Sequence, residues 1–214
     1  MSSSRYGRYL GAIGLIVVIG LIVRAVFVNP VNPTGIAPGH QLPPFAAPLA
    51  RGRLSGDADI ATHADDGEDG KVPACAERGA QILNICQLYE QGPVVLALFV
   101  DSASCTGVLS HMQALSSQFP HVRFAALAVR GERSQVRALM RERGLTLPIG
   151  LDPEGAVAAL YKVLTCPQVN FAYRGGVVQS SALLGDASLA SLRSRVSALA
   201  AASAAREARQ GSSA

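Results

Sequence analysis

An α/β fold built on a mostly parallel sheet, tethered by an N-terminal transmembrane helix, is what the sequence predicts. Three observations predict it. Short continuous apolar runs alternate with segments of helical periodicity from residue 93 onward. An apolar stretch, 9–28, precedes them and matches the roughly 20 residues that span a bilayer as a helix. Two further apolar runs flank Gly175-Gly176, the signal of a closing antiparallel hairpin.

The segments follow in order. "YLGAIGLIVVIGLIVRAVFV" (9–28) opens with uncharged, mostly apolar residues, and Arg24 interrupts it near its end. Arg5 and Arg8 precede it, with no acidic residue. The positive-inside rule keeps residues 1–8 in the cytoplasm and exports the rest of the chain. Arg24 reaches the headgroups from the far end by snorkelling. A cleaved signal peptide is the rival reading. Bulky Val26, Phe27 and Val28 leave no small-x-small site directly after the apolar run. A buried core helix is the third reading. The expected localisation is the cell membrane, single-pass, with the C-terminal part extracytoplasmic.

Residues 29–44 carry Pro30, Pro33, Pro38, Pro43 and Pro44 and read as an extended stalk. The folded domain is expected over 45–199. Residues 45–56, "FAAPLARGRLSG", read as a small hairpin. The acid-rich 57–71 reads as a solvated surface loop rather than a metal site. Residues 81–92 read as a strand ending in a Gly turn. "PVVLALFV" (93–100) reads as a strand covered on both faces. Over 105–119, Val108, Leu109, Met112, Leu115 and Phe119 share one helical face, and Pro120 ends the helix. A buried strand (122–129) follows, then an amphipathic helix (132–144) closed by Gly144. Residues 147–152 read as a short strand, and 153–163 as a helix with Pro153 at an early position. The hairpin 168–184 and a terminal helix 186–202, with Asp186 as N-cap, complete the domain. The tail 200–214 is expected to fray.

Apolar residues make up 49% of the chain and aromatic ones only 5%, with no Trp, so the core is built from small side chains. The net charge of +4 is spread as single arginines. Without a basic block interleaved with aromatics, nucleic acid is not an expected partner. The Ala, Arg and Gly bias suggests a GC-rich bacterial genome. No cofactor is expected.

Four cysteines, Cys75, Cys86, Cys105 and Cys166, are an even number in an exported domain and compatible with two disulfides, for which three pairings exist. Zinc is disfavoured, because there is no C-x2-C pair and the four histidines are scattered. Cys105 lies just past the 93–100 strand, where a helix begins. In an open α/β sheet that end of the strands is where ligands bind. A thiol at a helix N-terminus is also favoured as thiolate by the helix dipole and the free N–H groups.

At this point the chain resembles the thioredoxin fold, specifically the membrane-anchored, extracytoplasmic redoxin or thiol–disulfide oxidoreductase branch. The matching pieces are "APGHQLPPFAAPLARGRLSG" for that branch's opening hairpin and "PVVLALFVDSASC" for its central strand and active-site helix. "GLTLPIGLDPEGAVAALYKVLTCPQVNFAYRGGVV" resembles its second half. The resemblance implies a cis-proline beside the redox site at Pro167, with Cys166 before it and facing that site. The family's C-x-x-C is missing. If Cys105 takes the first cysteine position, Val108 replaces the second; if it takes the second, Ser102 replaces the first. The resemblance also implies that Cys166 lies across from Cys105, so that one thiolate attacks a substrate disulfide and the other resolves the mixed disulfide. An inert disulfide and two unpaired thiols are the alternatives. Cys75 and Cys86 read as a structural staple closing a small loop.

The function implied is thiol–disulfide exchange on exported proteins, with their thiols or disulfides and the membrane as partners. The competing class is a catalytically degenerate domain that binds a partner protein. A peroxiredoxin-type peroxidase is the remaining option. Ser102, three residues before Cys105, suits it. Leu98 stands where that family has Pro, and Cys166-Pro167 where it has an activating Arg. His111 and Asp101 are candidate proton acceptors, more simply read as helix-surface and capping residues. Tyr161 and Phe171 read as core, and Arg174 as solvent-facing.

Overall fold

The computed structural model describes residues 35–66, 71–183 and 188–211. The expected cytoplasmic segment 1–8, the transmembrane span 9–28, the first part of the stalk and the Asp186 cap lie outside these residues. Among the described residues no helix is long and apolar enough to cross a membrane.

The elements are β1 (Ala46–Pro48), β2 (Ile82–Asn84), α1 (Ile85–Gln91), β3 (Val94–Phe99), α2 (Ala103–Ser116), β4 (Arg123–Val129), α3 (Arg133–Glu142), β5 (Ile149–Asp152), α4 (Ala156–Leu160), β6 (Gln168–Ala172), β7 (Val178–Leu183) and α5 (Leu189–Gly211). The main sheet has the order β5-β4-β3-β6-β7. β3, β4 and β5 run parallel, while β6 lies antiparallel to β3 and β7 antiparallel to β6. β3 is therefore central, and all six of its residues are buried. Side chains alternate across a strand. Val95, Ala97 and Phe99 accordingly enter the core under α2, α3 and α5, and Val94, Leu96 and Leu98 the core shared with α1 and α4.

The helical face read at 105–119 is the buried face of α2: Val108, Leu109, Met112 and Leu115 are buried and Phe119 is half-buried. Tyr161 and Phe171 are fully buried. Tyr161 donates its hydroxyl to the Pro43 carbonyl (2.7 Å), and burial pushes its ionisation well above the usual phenol range.

Several expectations need correction. Residues 35–44 are packed on the domain rather than extended as a stalk. The Gly39 N–H donates to Val178 O and the Val178 N–H to His40 O, both at 2.8 Å, and the Leu42 N–H reaches Gly176 O at 2.8 Å. Ile36 and Leu42 are buried. The cause is an edge strand: β7 exposes backbone groups that a passing extended segment satisfies.

Residues 45–56 do not fold back as a hairpin. β1 pairs instead with β2, Ala47 opposite Leu83. The carbonyls that follow β1 face two guanidinium groups of α3. Arg133 Nη1 donates to Leu49 O and Gly52 O, both at 2.6 Å, and Arg137 Nε to Ala50 O at 2.6 Å. Within the acid-rich 57–71, Ala58 and Asp59 are buried, because Asp59 and Ala46 exchange backbone hydrogen bonds.

The strand expected over 81–92 is three residues of strand and then a helix. Asn84 makes the switch. Its side chain accepts the Gln87 N–H (3.0 Å) and donates to Ala74 O and Glu77 O. An asparagine N-cap outweighs a short alternating pattern.

The helix expected over 153–163 shrinks to the five residues of α4, and Pro153 precedes it. Asp152 takes the capping role, accepting the Val157 and Ala158 N–H groups at 3.2 and 2.9 Å. Burial nonetheless raises its carboxyl above the usual range. The tail does not fray at 200, since α5 continues to Gly211. Good helix formers fill this stretch, and Arg206 stacks over the Tyr173 ring, 4.4 Å from its centroid.

Candidate functional site

β3 leads directly into the site. Six buried residues carry the chain to Val100, where it emerges to solvent before α2 begins. Ser102 is the N-cap in extended conformation, and its side chain makes no capping hydrogen bond. Its carbonyl receives the Cys105 and Thr106 N–H groups, each at 3.0 Å, and the Thr106 hydroxyl at 3.1 Å. Cys105 is thus the third residue of the helix, within the first turn where the dipole acts.

Cys105 is only 4% exposed and belongs to the core under α2. Ser102 stays partly exposed. Val108, a turn further on, is deep core. At the helix start Ser102 is thus partly exposed, Ala103 and Ser104 are exposed, and Cys105 faces inward.

Cys166 comes from the other side of β3, in the loop between α4 and β6. The Cys166–Pro167 peptide is cis, and Pro167 is buried. β6 pairs with β3, Gln168 opposite Leu98, and this register delivers Cys166 to the C-terminal end of β3. Cys105 and Cys166 form a disulfide with a Cα–Cα distance of 5.4 Å, within the usual span of such bridges. Cys75 and Cys86 form a second, also at 5.4 Å. The two sit on opposite faces of the sheet, Cys105 in one core and Cys86 in the other. Cys75 is half-buried with its sulfur 3.9 Å from the Tyr89 hydroxyl.

Two groups at the site carry no sequence signal. The Val100 backbone N–H donates to Cys166 Sγ at 3.3 Å. A backbone donor belongs to every residue, so only the meeting of β3 with the Cys166 loop reveals it. Arg143, at the end of α3, donates to Thr106 O at 3.0 Å and brings a cation to the first turns of α2. The Ser104 hydroxyl lies 3.8 Å from the Cys105 sulfur, and Ser102 Oγ lies 3.3 Å from Ser104 Oγ. Ser104 carries no motif that marks it in the sequence.

The other candidates stand further off. Asp101 is exposed beside the N-cap. His111 lies six residues along α2, about 9 Å from Cys105 along the helix axis. Arg174 is exposed but not free in solvent: its Nε donates to Glu90 O, and Glu207 lies 3.7 Å from its Nη1. Among the described residues no group of His, Cys, Asp and Glu could hold a metal ion.

Chemically, the arrangement is a disulfide between two unlike environments. One cysteine of the bridge, Cys166, is partly exposed, and its sulfur accepts a backbone N–H. The other is buried at a helix start, where a thiolate is stabilised.

No family model matches the chain, and none of the curated proteins does. Solved structures do match. One, from Chlorobium tepidum, is described provisionally as the thiol:disulfide interchange protein DsbE. It aligns with a TM-score of 0.58 at 14% identity, over 77% of this chain and 98% of that one. A secreted disulfide oxidoreductase of Mycobacterium tuberculosis, described as homologous to E. coli DsbE, gives 0.50 at 21%, over 55% and 89%. The peroxidoxin BcpB of M. tuberculosis gives 0.50 at 15%, over 70% and 86%. At such identities the likeness speaks for architecture, and it agrees with the strand order and helix placement described above: the chain has the thioredoxin-like fold.

Proposed function

We propose that the chain is a membrane-anchored, extracytoplasmic protein that carries out thiol–disulfide exchange on exported proteins through Cys105 with Cys166. The observation that carries this reading is the Cys105–Cys166 disulfide at the C-terminal end of the central strand. It joins a helix start to a cis-proline loop and keeps one of its cysteines partly exposed. Two of the aligned structures are described as disulfide-exchange proteins, which supports the same reading. The anchor is supported by the apolar run 9–28 behind Arg5 and Arg8.

Exchange needs only the atoms present and a substrate. A substrate thiolate attacks one sulfur of the bridge, the S–S bond breaks, and the other sulfur leaves as thiolate. A second substrate thiolate then attacks the mixed disulfide. The substrate leaves oxidised, and both cysteines remain reduced; two electrons have passed to the protein. In the opposite direction the reduced pair opens a substrate disulfide by the same steps reversed.

The test is a thiol titration of the full chain across glutathione potentials, with Cys105→Ser and Cys166→Ser as controls. A couple above roughly −250 mV, lost in both controls, supports exchange; a bridge still oxidised below about −300 mV overturns it. Membrane fractionation with external protease tests the anchor. A chain released by alkaline carbonate, or protected from protease in intact cells, overturns that part.

The second reading is a degenerate domain that binds a partner protein and performs no exchange. The near-complete burial of Cys105 favours it, since a buried thiol is inert toward bulky reagents. The same titration separates the two.

A further inference from the structure

We infer that Cys166, on the cis-proline loop, is the sulfur that carries the substrate in the mixed disulfide, and that Cys105, on the helix, is the leaving and resolving thiol. This rests on the exchange reading above and assigns its two roles.

Three observations converge on it. First, access: Cys105 is 4% exposed and packed among Val108, Leu109 and Phe99, whereas Cys166 is only partly buried. A sulfur in a polypeptide substrate must approach in line with the S–S bond, so the outer sulfur is the one it meets. Second, the leaving group: expulsion is fastest for the thiol best stabilised as thiolate, and Cys105 lies in the first turn of α2, where the helix dipole and its N–H groups favour the thiolate, whereas Cys166 has the Val100 N–H. Third, the flanks: Val100 and Leu164 are 38% and 69% exposed, large apolar side chains in the two segments that meet at Cys166. The matching substrate is an unfolded or extended polypeptide with apolar residues beside its cysteine.

The steps balance. A substrate thiolate attacks Cys166 Sγ; the Cys105–Cys166 bond breaks, and its electron pair leaves on Cys105 Sγ. The Val100 N–H at 3.3 Å remains on Cys166 and holds its sulfur in place. A second substrate thiolate then attacks the substrate sulfur bound to Cys166. The substrate disulfide departs and Cys166 leaves as thiolate. In reverse, the Cys166 thiolate opens a substrate disulfide, and Cys105 thiolate attacks Cys166 to close the bridge and release the substrate thiol.

The experiment uses the full chain as two single variants, Cys105→Ser and Cys166→Ser, each with one free thiol at the site. Oxidised glutathione is the probe, and mass spectrometry follows the adduct. Cys105→Ser, which retains Cys166, is expected to form the adduct at least about tenfold faster than Cys166→Ser, with the difference lost in denaturant. Equal rates in the native state, or faster reaction of Cys166→Ser, overturn the assignment. Wild-type protein gives a readout free of substitutions. After brief exposure of the oxidised chain to reduced glutathione and acid quench, glutathione is expected on Cys166 with Cys105 free to be alkylated. The reverse labelling overturns the assignment. A wild-type bridge that no glutathione potential opens overturns the exchange reading instead, while the variant rates still decide which sulfur is reachable.

Discussion

Opening the Cys105–Cys166 bridge should destabilise the fold by an amount that depends on pH. The two cysteines are 61 residues apart in sequence. Closing a loop of that length removes denatured-state entropy equivalent to about 4 kcal/mol at room temperature. The Cys75–Cys86 loop lies entirely outside it, so the two contributions do not overlap. Against this stands the Cys105 thiolate of the opened state, which the helix N-terminus favours by up to about 2 kcal/mol. The Cys166→Ser variant opens the bridge and leaves Cys105 free to ionise, while the double variant Cys105→Ser/Cys166→Ser opens it with no thiolate. Urea unfolding of both, beside the oxidised wild type, reads the gap. At about pH 5, where a thiol is protonated, both variants should lie about 4 kcal/mol below wild type. At about pH 9 the gap for Cys166→Ser should shrink to about 2 kcal/mol, while that of the double variant should stay near 4. By linkage, about 2 kcal/mol corresponds to some ~40 mV of reduction potential, the difference between a fixed staple and an exchangeable bridge. A gap for Cys166→Ser that does not change with pH refutes the helix-start thiolate. A gap below about 1 kcal/mol at pH 5 refutes the loop-closure argument.

Three more outcomes follow from the geometry. Gly176 has φ +82°, and a Cβ there would lie 2.7 Å from the Tyr89 ring, whereas Gly175, at φ +84°, faces open space. Gly176→Ala should therefore cost about 2–4 kcal/mol in chemical unfolding and Gly175→Ala only about 1; equal costs would show that Tyr89 moves aside freely. Asp152 ionises above the usual carboxylate range because of its burial, so its neutral form is favoured in the fold. Its contribution to stability is full below the ordinary carboxylate value, about 3.9, and is lost as pH rises through the raised one. Carboxyl NMR should place its midpoint above the ordinary value, and a midpoint below it would mean that the Val157 and Ala158 N–H bonds outweigh burial. Removing the second bridge with Cys75→Ala/Cys86→Ala should cost about 3 kcal/mol, given its separation of 11, without shifting the potential of the first. A shift would show that the two faces of the sheet are coupled.

The parts of this architecture that came directly from the chain are those with strong local periodicity. The run 93–100 is apolar throughout because β3 is covered on both faces, and the one-sided pattern of 105–119 is the buried face of α2. Gly175-Gly176 marked the β6–β7 turn because both positions have positive φ. The position of Cys105 at a strand end followed from the same punctuation. Where local signals competed, the pattern misled. Asn84 turned an alternating stretch into a helix by capping it, and Asp152 displaced Pro153 from the start of α4.

Sequence by itself determined the alternation of strands and helices along the chain from residue 93 onward and the location of one thiol at the end of a buried strand, since both are written in residues close together along the chain. Only the tertiary structure decided what that thiol meets. The chain between Cys105 and Cys166, which are 61 apart in sequence, holds two parallel strand crossovers, and their register sets which cysteine is buried and which is reachable. The same holds for residues 35–44, which cover the free edge of β7, and for Arg133 and Arg137, which bind carbonyls more than 80 residues away. Each of these is a contact between backbone groups and distant partners, and a backbone group looks the same at every position in a sequence.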